Sequence, residues 1–379
     1  MSRPQVLVFI SWYAPGFKAG GPVRSMVNMV DHLHDRVDFH IVTSDTDYTA
    51  TGPYPDITPD QWTVLSGGER VWYASRAKAG ASAWRKLLAE RAWDAVYING
   101  LYDRTYSVLP LWLLRGSTQR RVVAVRGMLA AGMMQHGTLK KRTFLAVMRL
   151  VGCYRGVEFQ ATNAEEVRDV ASWLRPDRPA HLVPNLPRKA PAAQVRRSKE
   201  AGVLRLLSVA RIAVEKNTLF AIERLKGLQG DIRFDLYGPI YDERYWQQCR
   251  TAIAALAPNI QVVHKGSVAP DQVPELFARY HALFMPSQGE NFGHTMAEAL
   301  QAGLPLVISD RTPWRGLESL DAGWDLPLER TGDFSRALER LVHADQATYD
   351  RWSAGALRAA DRYLDTPRNV ERTFALFRP

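Results

Sequence analysis

Two doubly wound α/β domains in tandem is the fold the sequence predicts, on three observations. The chain has 379 residues, long for one domain when a domain typically takes roughly 100–200. Short apolar runs alternate with amphipathic stretches from the first residues onward, the β-α-β pattern of a parallel sheet covered on both faces. The segment PRKAPAAQVRRSKEAG, Pro187 to Gly202, has neither helical nor strand periodicity, reads as an interdomain linker, and is followed by a fresh start of the same alternation.

Each element follows in order. QVLVFIS is a first buried strand, because Pro15 and Gly16 cut the apolar run short of a signal or spanning helix. PVRSMVNMVDHL repeats apolar residues at helical spacing, and DFHIVTS returns to a strand. Further strands are expected at Ala95–Asn99, Arg121–Val125, near Glu158 in VEFQA, and at His181–Pro184. Beyond the linker they are expected at Leu204–Ala210, Ile232–Gly238, Ile260–Gly266, Ala282–Ser287 and Pro305–Ser309, with helices between. Tyr349 to Pro379 is helical in pattern with no strand to serve. The expected division is residues 1–190, residues 191–350, and residues 351–379 as C-terminal helices packing back toward the N-terminal domain.

Composition excludes more than it selects. With 46% hydrophobic and 23% charged residues the chain is neither disordered nor fibrous. Cys153 and Cys249 stand far apart without a C-x-x-C neighbour, so no disulfide framework or zinc site is expected, which suits a reducing, cytoplasmic compartment. No apolar stretch approaches the ~18 residues of a membrane span. A net charge of +10 attracts polyanions of any sort. Lys140, Lys141 and Arg142, with Arg149 and apolar Phe144, Leu145, Val147 and Met148 between Leu139 and Tyr154, are compatible with an anionic membrane surface and equally with core packing.

In open α/β sheets ligands sit beyond the carboxyl ends of strands, so those loops hold the candidate residues. ARIAVEKN follows the strand Leu204–Ala210 and carries Arg211 and Lys216, a forked and a compact cation suited to a diphosphate. In FMPSQGENFGHTMAEALQAGLPLVISD, Phe284 to Asp310, Glu290 lies in a loop and Glu298 on a helix that begins near Gly293 or His294. A loop carboxylate can accept from sugar hydroxyls, and a helix carboxylate can accept from both hydroxyls of a ribose. Amides at the helix start, near His294 to Met296, would face phosphates. The first loop, SWYAPGFKAGGPVRSM, brings Gly20 and Gly21 to a helix start, where backbone can approach a bound group closely.

These residues resemble the retaining glycosyltransferases of family 4, the group 1 glycosyltransferases, with the GT-B architecture of two facing Rossmann-like domains and a cleft between them. The resemblance is carried by R-x-x-x-E-K at Arg211 to Lys216, E-x7-E at Glu290 to Glu298, and A-x-G-x-P at Ala302 to Pro305. It implies that Arg211 and Lys216 bind the donor diphosphate, Glu298 the ribose and Glu290 the donor sugar. Asn291, Phe292, Gly293, His294 and Thr295 then line the donor between the two glutamates, Gly266 and Val268 contact the base, and Gly20 and Gly21 match the family's glycine-rich loop. Pro184-Asn185 matches the start of a P-N-G segment, with Leu186 in place of glycine. Many members have a histidine where this chain has Arg126, which is assigned a catalytic role or binding of acceptor or donor phosphate, with a structural arginine held in a buried hydrogen-bond network as the alternative; His136, nearby in sequence, is a further candidate.

The resemblance further implies hexosyl transfer from a UDP- or GDP-linked sugar to a glycan or lipid-linked acceptor, with retention, no metal and no bound cofactor. A place in cell-surface polysaccharide or lipopolysaccharide synthesis follows by family habit, with possible peripheral contact with anionic membrane. Asp45-Thr46-Asp47 has the letters of a metal-binding D-x-D but follows the second strand instead of the sort of strand end that metal-dependent transferases use. Two carboxylates can also suggest glycoside hydrolysis, but the phosphate-binding cations beside them would have no purpose there. A nucleotide-sugar epimerase of the same fold and a basic polyanion-binding protein are the rival readings. For the latter, the 11 tryptophans form no recognisable stacking platform, and no nucleic-acid partner is expected.

Overall fold

The computed structural model describes residues 3–130, 134, 138–189 and 196–378. The chain divides into two compact units, Met1–Lys189 with Thr366–Pro379, and Ala190–Asp365. In the first, eight strands form one sheet: β1 (Gln5–Phe9), β2 (Asp38–Ser44), β3 (Trp62–Val64), β4 (Arg70–Ala74), β5 (Ala95–Asn99), β6 (Arg121–Ala124), β7 (Val157–Ala161) and β8 (His181–Leu182). Their order is β3-β4-β2-β1-β5-β6-β7-β8. Every pairing is parallel except the edge hairpin β3–β4, where Trp62 lies opposite Trp72 with ring centroids 5.6 Å apart.

Alternation of side chains across the strands builds two cores from one sheet. Leu7, Phe9, Val96, Ile98 and Val123 enter one. Val6, Val8, Ala95, Tyr97 and Val122 enter the other. The sequence reading finds the central strands for this reason, and omits β3 and β4.

The second unit is a six-stranded sheet of β9 (Val203–Val209), β10 (Asp231–Tyr237), β11 (Ile260–His264), β12 (Ala282–Met285), β13 (Leu306–Ser309) and β14 (Gly323–Leu326), in the order β11-β10-β9-β12-β13-β14. All its pairings are parallel. The helix Gln346–Leu364 belongs to this unit, whereas the sequence reading sends everything after residue 350 back to the first. Tyr349 and Trp352 join the core on one face of the sheet, and Ala356, Ala359 and Ala360 join the core on the other. Gly355 permits this packing, since a Cβ there would lie 2.1 Å from the Asp321 carbonyl oxygen.

The returning segment begins at Thr366, one residue after Asp365 takes a left-handed conformation (φ 33°). Its helix, Thr366–Ala375, packs on the first unit through the Arg36–Glu371 ion pair at 2.5 Å, and Phe377 is wholly buried against Phe39 and Tyr97. Among the described residues no helix is long and apolar enough to cross a membrane.

Candidate functional site

In the second sheet the chain leaves β9 toward β10 and β11, then returns to place β12 on the other side of β9. The crevice at the carboxyl ends of β9 and β12 is therefore the topological switch point where such sheets bind ligands. Both loops there carry the charged residues singled out from the sequence.

After β9 the backbone makes a single 3-10 turn, Val214–Lys216, and stops at Asn217 in a left-handed conformation (φ 58°), which asparagine tolerates better than most residues. The Asn217 amide donates to the Pro286 carbonyl at 3.1 Å, and Gln288 N–H donates to the Glu215 carbonyl at 2.9 Å. These bonds tie the β9 loop to the β12 loop. Lys216 Nζ consequently reaches Glu290 Oε1 at 2.6 Å, with the two side chains only 17% and 12% exposed. Ser287 Oγ donates to the same oxygen at 2.9 Å. Arg211 pairs with Glu215 at 3.1 Å and lies 5.3 Å from the centroid of the Tyr241 ring, so its guanidinium stays half-exposed with its plane steadied.

The helix His294–Gln301 starts at Gly293, itself left-handed (φ 75°), and has no side-chain cap at its N-terminus. Its first-turn amides lack intrahelical partners, an arrangement suited to an anion. Thr295 Oγ1 bonds the Val209 carbonyl at 3.3 Å, which fixes the helix start against β9. Phe292 packs on His294 and Trp314, and Trp314 Nε1 donates to the Phe292 carbonyl at 2.7 Å. Glu298 is buried on this helix at 6% exposure, among Met296, Ala297, Ala299 and Leu300, all buried. At the end of β10, Gly238 N–H donates to the Gly266 carbonyl at 2.8 Å, and Gly266 (φ 74°) has open space where a Cβ would be. Val268, two residues on, packs against the core below.

The first unit presents its own strand-end groups. Gly20 (φ 74°) caps the helix Gly21–Leu33, and no atom lies within 4 Å of where either glycine's Cβ would stand. Asp47 fixes this loop by accepting from the amides of Phe17 at 3.1 Å and Tyr48 at 2.7 Å. One carboxylate of the D-x-D letters is thus engaged by backbone. Among the described residues no group of three His, Cys, Asp or Glu could hold a metal.

Arg126, after β6, is also left-handed (φ 57°). Its guanidinium donates to Asn99 Oδ1 at 2.8 Å, to Tyr97 Oη at 2.7 Å and to Asn185 Oδ1. Tyr97 Oη in turn donates to Gln160 Oε1 at 2.6 Å, and burial raises the pKa of this phenol. His136 lies outside the described residues.

Sequence reasoning brings together Lys216, Glu290, Arg211 and the helix carrying Glu298, and overlooks three supports: Ser287, Asn217 and Tyr241. Asn217 had a signal, being an asparagine directly before a helical run. Ser287 and Tyr241 had none, since their roles exist only through contacts distant in sequence.

Solved structures match over nearly the whole length of the chain. Sucrose-phosphate synthase of Thermosynechococcus elongatus is 14% identical with a TM-score of 0.70, over 99% of this chain and 98% of that one. HepE of Anabaena, in complex with UDP and glucose, is 14% identical with a TM-score of 0.69, over 97% and 98%. WaaG, a glycosyltransferase involved in lipopolysaccharide biosynthesis, is 14% identical with a TM-score of 0.67, over 98% and 99%. The chain thus has the GT-B fold, two parallel-sheet α/β domains. Residues 193–357 match the family of glycosyl transferases group 1, so the second unit carries that family's domain. A comparison with curated proteins gives no match.

Proposed function

We propose that the protein transfers a hexosyl unit from a nucleotide-diphosphate sugar, UDP- or GDP-linked, to a glycan or lipid-linked acceptor, with retention of configuration. The observation that carries this reading is the meeting of Lys216 and Glu290 at the switch point of the second sheet, beside an uncapped helix start and the buried Glu298. HepE in its complex with UDP and glucose supports a nucleotide-sugar donor. WaaG, through its part in lipopolysaccharide biosynthesis, supports a surface-glycan acceptor.

The donor's diphosphate is met by Arg211, Lys216 and the amides of His294 to Met296, with no metal required in this scheme. Glu298 takes the ribose hydroxyls, Gly266 and Val268 leave room for the base, and Asn291, Phe292, Gly293 and Thr295 line the path to the sugar. Lys216 and Ser287 both bond Oε1 of Glu290, which leaves Oε2 to a sugar hydroxyl. As the bond from the anomeric carbon to phosphate oxygen breaks, its electron pair leaves with the nucleoside diphosphate, and Arg211, Lys216 and the helix start stabilise the charge. The acceptor oxygen bonds the anomeric carbon on the same face and passes its proton to the departing phosphate oxygen. No side chain becomes a covalent nucleophile. Gly20, Gly21 and Arg126 form the contribution of the first unit.

Calorimetric titration with UDP, GDP, ADP and dTDP, with and without magnesium, tests the reading. One nucleotide should bind without magnesium, and Glu298→Ala should weaken it at least tenfold. Binding of none of the four sinks the proposal.

A further inference from the structure

Glu69 stands directly before β4, in the turn that joins it to β3, and is 8% exposed. A carboxylate is seldom buried to that degree without a cation beside it. Tyr13 Oη donates to Glu69 Oε1 at 3.1 Å, and burial raises the pKa of this phenol, so it stays a donor. Oε2 has no hydrogen-bond partner, and Glu69 makes no ion pair among the described residues. Neither protonation state repairs this, because an ionised Oε2 lacks a donor and a protonated one lacks an acceptor. The desolvation of that oxygen is offset by nothing in the chain.

The carboxylate lies against a depression of about 300 Å³ in the first unit, with Gly67, Gly68 and Glu69 on one wall. A Cβ on Gly67 would stand 2.5 Å from Oε2, which puts the orphaned oxygen at the Gly67 edge of that wall. Asp35 and Asp38 line the same depression, as does His34 at the carboxyl end of the helix Gly21–Leu33, the negative end of its dipole. Asp38 accepts from Gln5 Nε2 at 2.5 Å and pairs with Arg3 at 3.6 Å, and Arg3 donates to the His34 carbonyl at 3.3 Å. Arg3, the one permanent cation in the lining, therefore serves Asp38 and the helix end. His34 Nδ1 lies 3.0 Å from the Asp31 carbonyl, and Asp35 makes no ion pair among the described residues. Val30, Val37 and Phe39, all buried, supply the apolar lining.

We propose that this depression binds a small aliphatic diamine, with one ammonium group on Glu69 and the other on the aspartates. An ammonium brings the full charge and the donors that Oε2 lacks and that Tyr13 does not supply. The helix end and the two aspartates select a cation over an anion, and Val30, Val37 and Phe39 suit a methylene chain. The cation is organic, because among the described residues no group of three His, Cys, Asp or Glu could hold a metal. Arg3 precedes β1, Asp38 opens β2 and Glu69 precedes β4, so the site occupies the amino ends of three neighbouring strands. Gly20 and Arg126 follow the carboxyl ends of theirs, and the diamine site does not rest on the transferase reading.

Calorimetric titration of the full chain with putrescine, and with butanediol as its uncharged counterpart, tests the proposal. Saturable binding of putrescine is expected, weakening as salt is raised, with none of butanediol. A net charge of +10 gives a dication no general attraction to this chain, so loose surface binding does not imitate the site. Glu69→Gln keeps the shape and removes the charge, and should weaken binding at least tenfold. Asp35→Asn, at an exposed position, should weaken it about threefold with an unchanged melting temperature. Absence of putrescine binding overturns the proposal, as do equal binding of butanediol and full affinity in Glu69→Gln. Should Glu69→Gln fail to fold, Asp35→Asn decides alone, and full affinity there overturns it.

Discussion

In the second unit the two cations in the loop after β9 are matched by carboxylates, Lys216 by Glu290 at 2.6 Å and Arg211 by Glu215 at 3.1 Å. In the first unit Arg126 makes three bonds, and all of them go to the neutral groups of Asn99, Tyr97 and Asn185. A matched pair holds its charge compensated until a ligand re-aims one partner. An arginine on neutral acceptors keeps its whole charge in place, oriented but uncompensated. The difference teaches that the second unit compensates these two strand-end charges in place, whereas the first orients one arginine with neutral groups alone.

The largest effect should come from breaking the Lys216–Glu290 pair. If Lys216 meets the donor phosphate as proposed, Lys216→Ala should slow transfer roughly 10²–10³-fold. It also strips Glu290 of its cation, so stability should fall as well. The double variant Lys216→Ala/Glu290→Gln should recover part of that stability and none of the rate. Initial rates and melting curves measured together separate the two effects. Equal loss of stability in single and double variants would show that the pair is not coupled.

Two glycines sharpen the same comparison on the backbone. Gly238 (φ 144°) lets the end of β10 approach that of β9, and a Cβ there would lie 2.0 Å from the Ala210 carbonyl oxygen. Gly20 (φ 74°) has open space around it. Gly238→Ala must move backbone at the carboxyl end of β10 and should cost about 3 kcal/mol. Gly20→Ala bears only the conformational penalty of about 1 kcal/mol. Denaturant unfolding reads both, and equal costs would mean that the β9–β10 approach is not rigid.

How much of this was legible follows from where each interaction originates. Central strands such as Val6–Phe9 and Leu204–Leu207 announce themselves because a parallel sheet buries both faces. β14 does not: Gly-Trp-Asp-Leu has little strand character, and its place is set by Gly323, whose backbone lies so close to Leu306 that a Cβ would sit 1.9 Å from its carbonyl oxygen. The charged stretch after Pro187 misled in another way. Arg197 and Lys199 are buried at 5% and 3% exposure, Arg197 on the carbonyls of Phe277, Ala302 and Gly303. Lys199 Nζ bonds those of Glu200, Val342 and Ala344. Cations that bond backbone carbonyls look like linker residues in a sequence. The candidate residues Arg211, Lys216 and Glu290 were legible as strand-end groups because strand ends are predictable, and the contacts that hold them were not, because Ser287 and Tyr241 act through tertiary contact alone.

Each unit also buries one histidine as a neutral ring. His40 accepts from Arg70 at 3.1 Å, and His281 accepts from the Arg205 amide at 3.1 Å. Burial holds both pKa values down at about 4. The unfolded chain takes up these protons at the ordinary value near 6.5. Stability should therefore be constant above about pH 6.5, fall as pH drops from there toward 4, and level off below. Each ring should lose up to about 3 kcal/mol over that window, and Gln at position 281 should remove the second unit's share. Urea unfolding at a series of pH values checks it, and a flat profile between pH 6.5 and 4 would contradict neutral burial.

The smallest effect concerns Arg126 itself. Arg126→Lys keeps the charge but replaces a rigid fork by a single ammonium, which cannot serve Asn99, Tyr97 and Asn185 together. Two neutral acceptors then lose their donor, at about 1 kcal/mol in stability and a fall in melting temperature of a few degrees. If the first unit's role is to hold a fixed positive charge toward substrate, the lysine variant should stay within about tenfold of the parent rate, whereas Arg126→Gln, which also removes the charge, should fall well below it. Equal rates in the two variants would assign Arg126 to the architecture of its unit and leave the chemistry to the second unit alone.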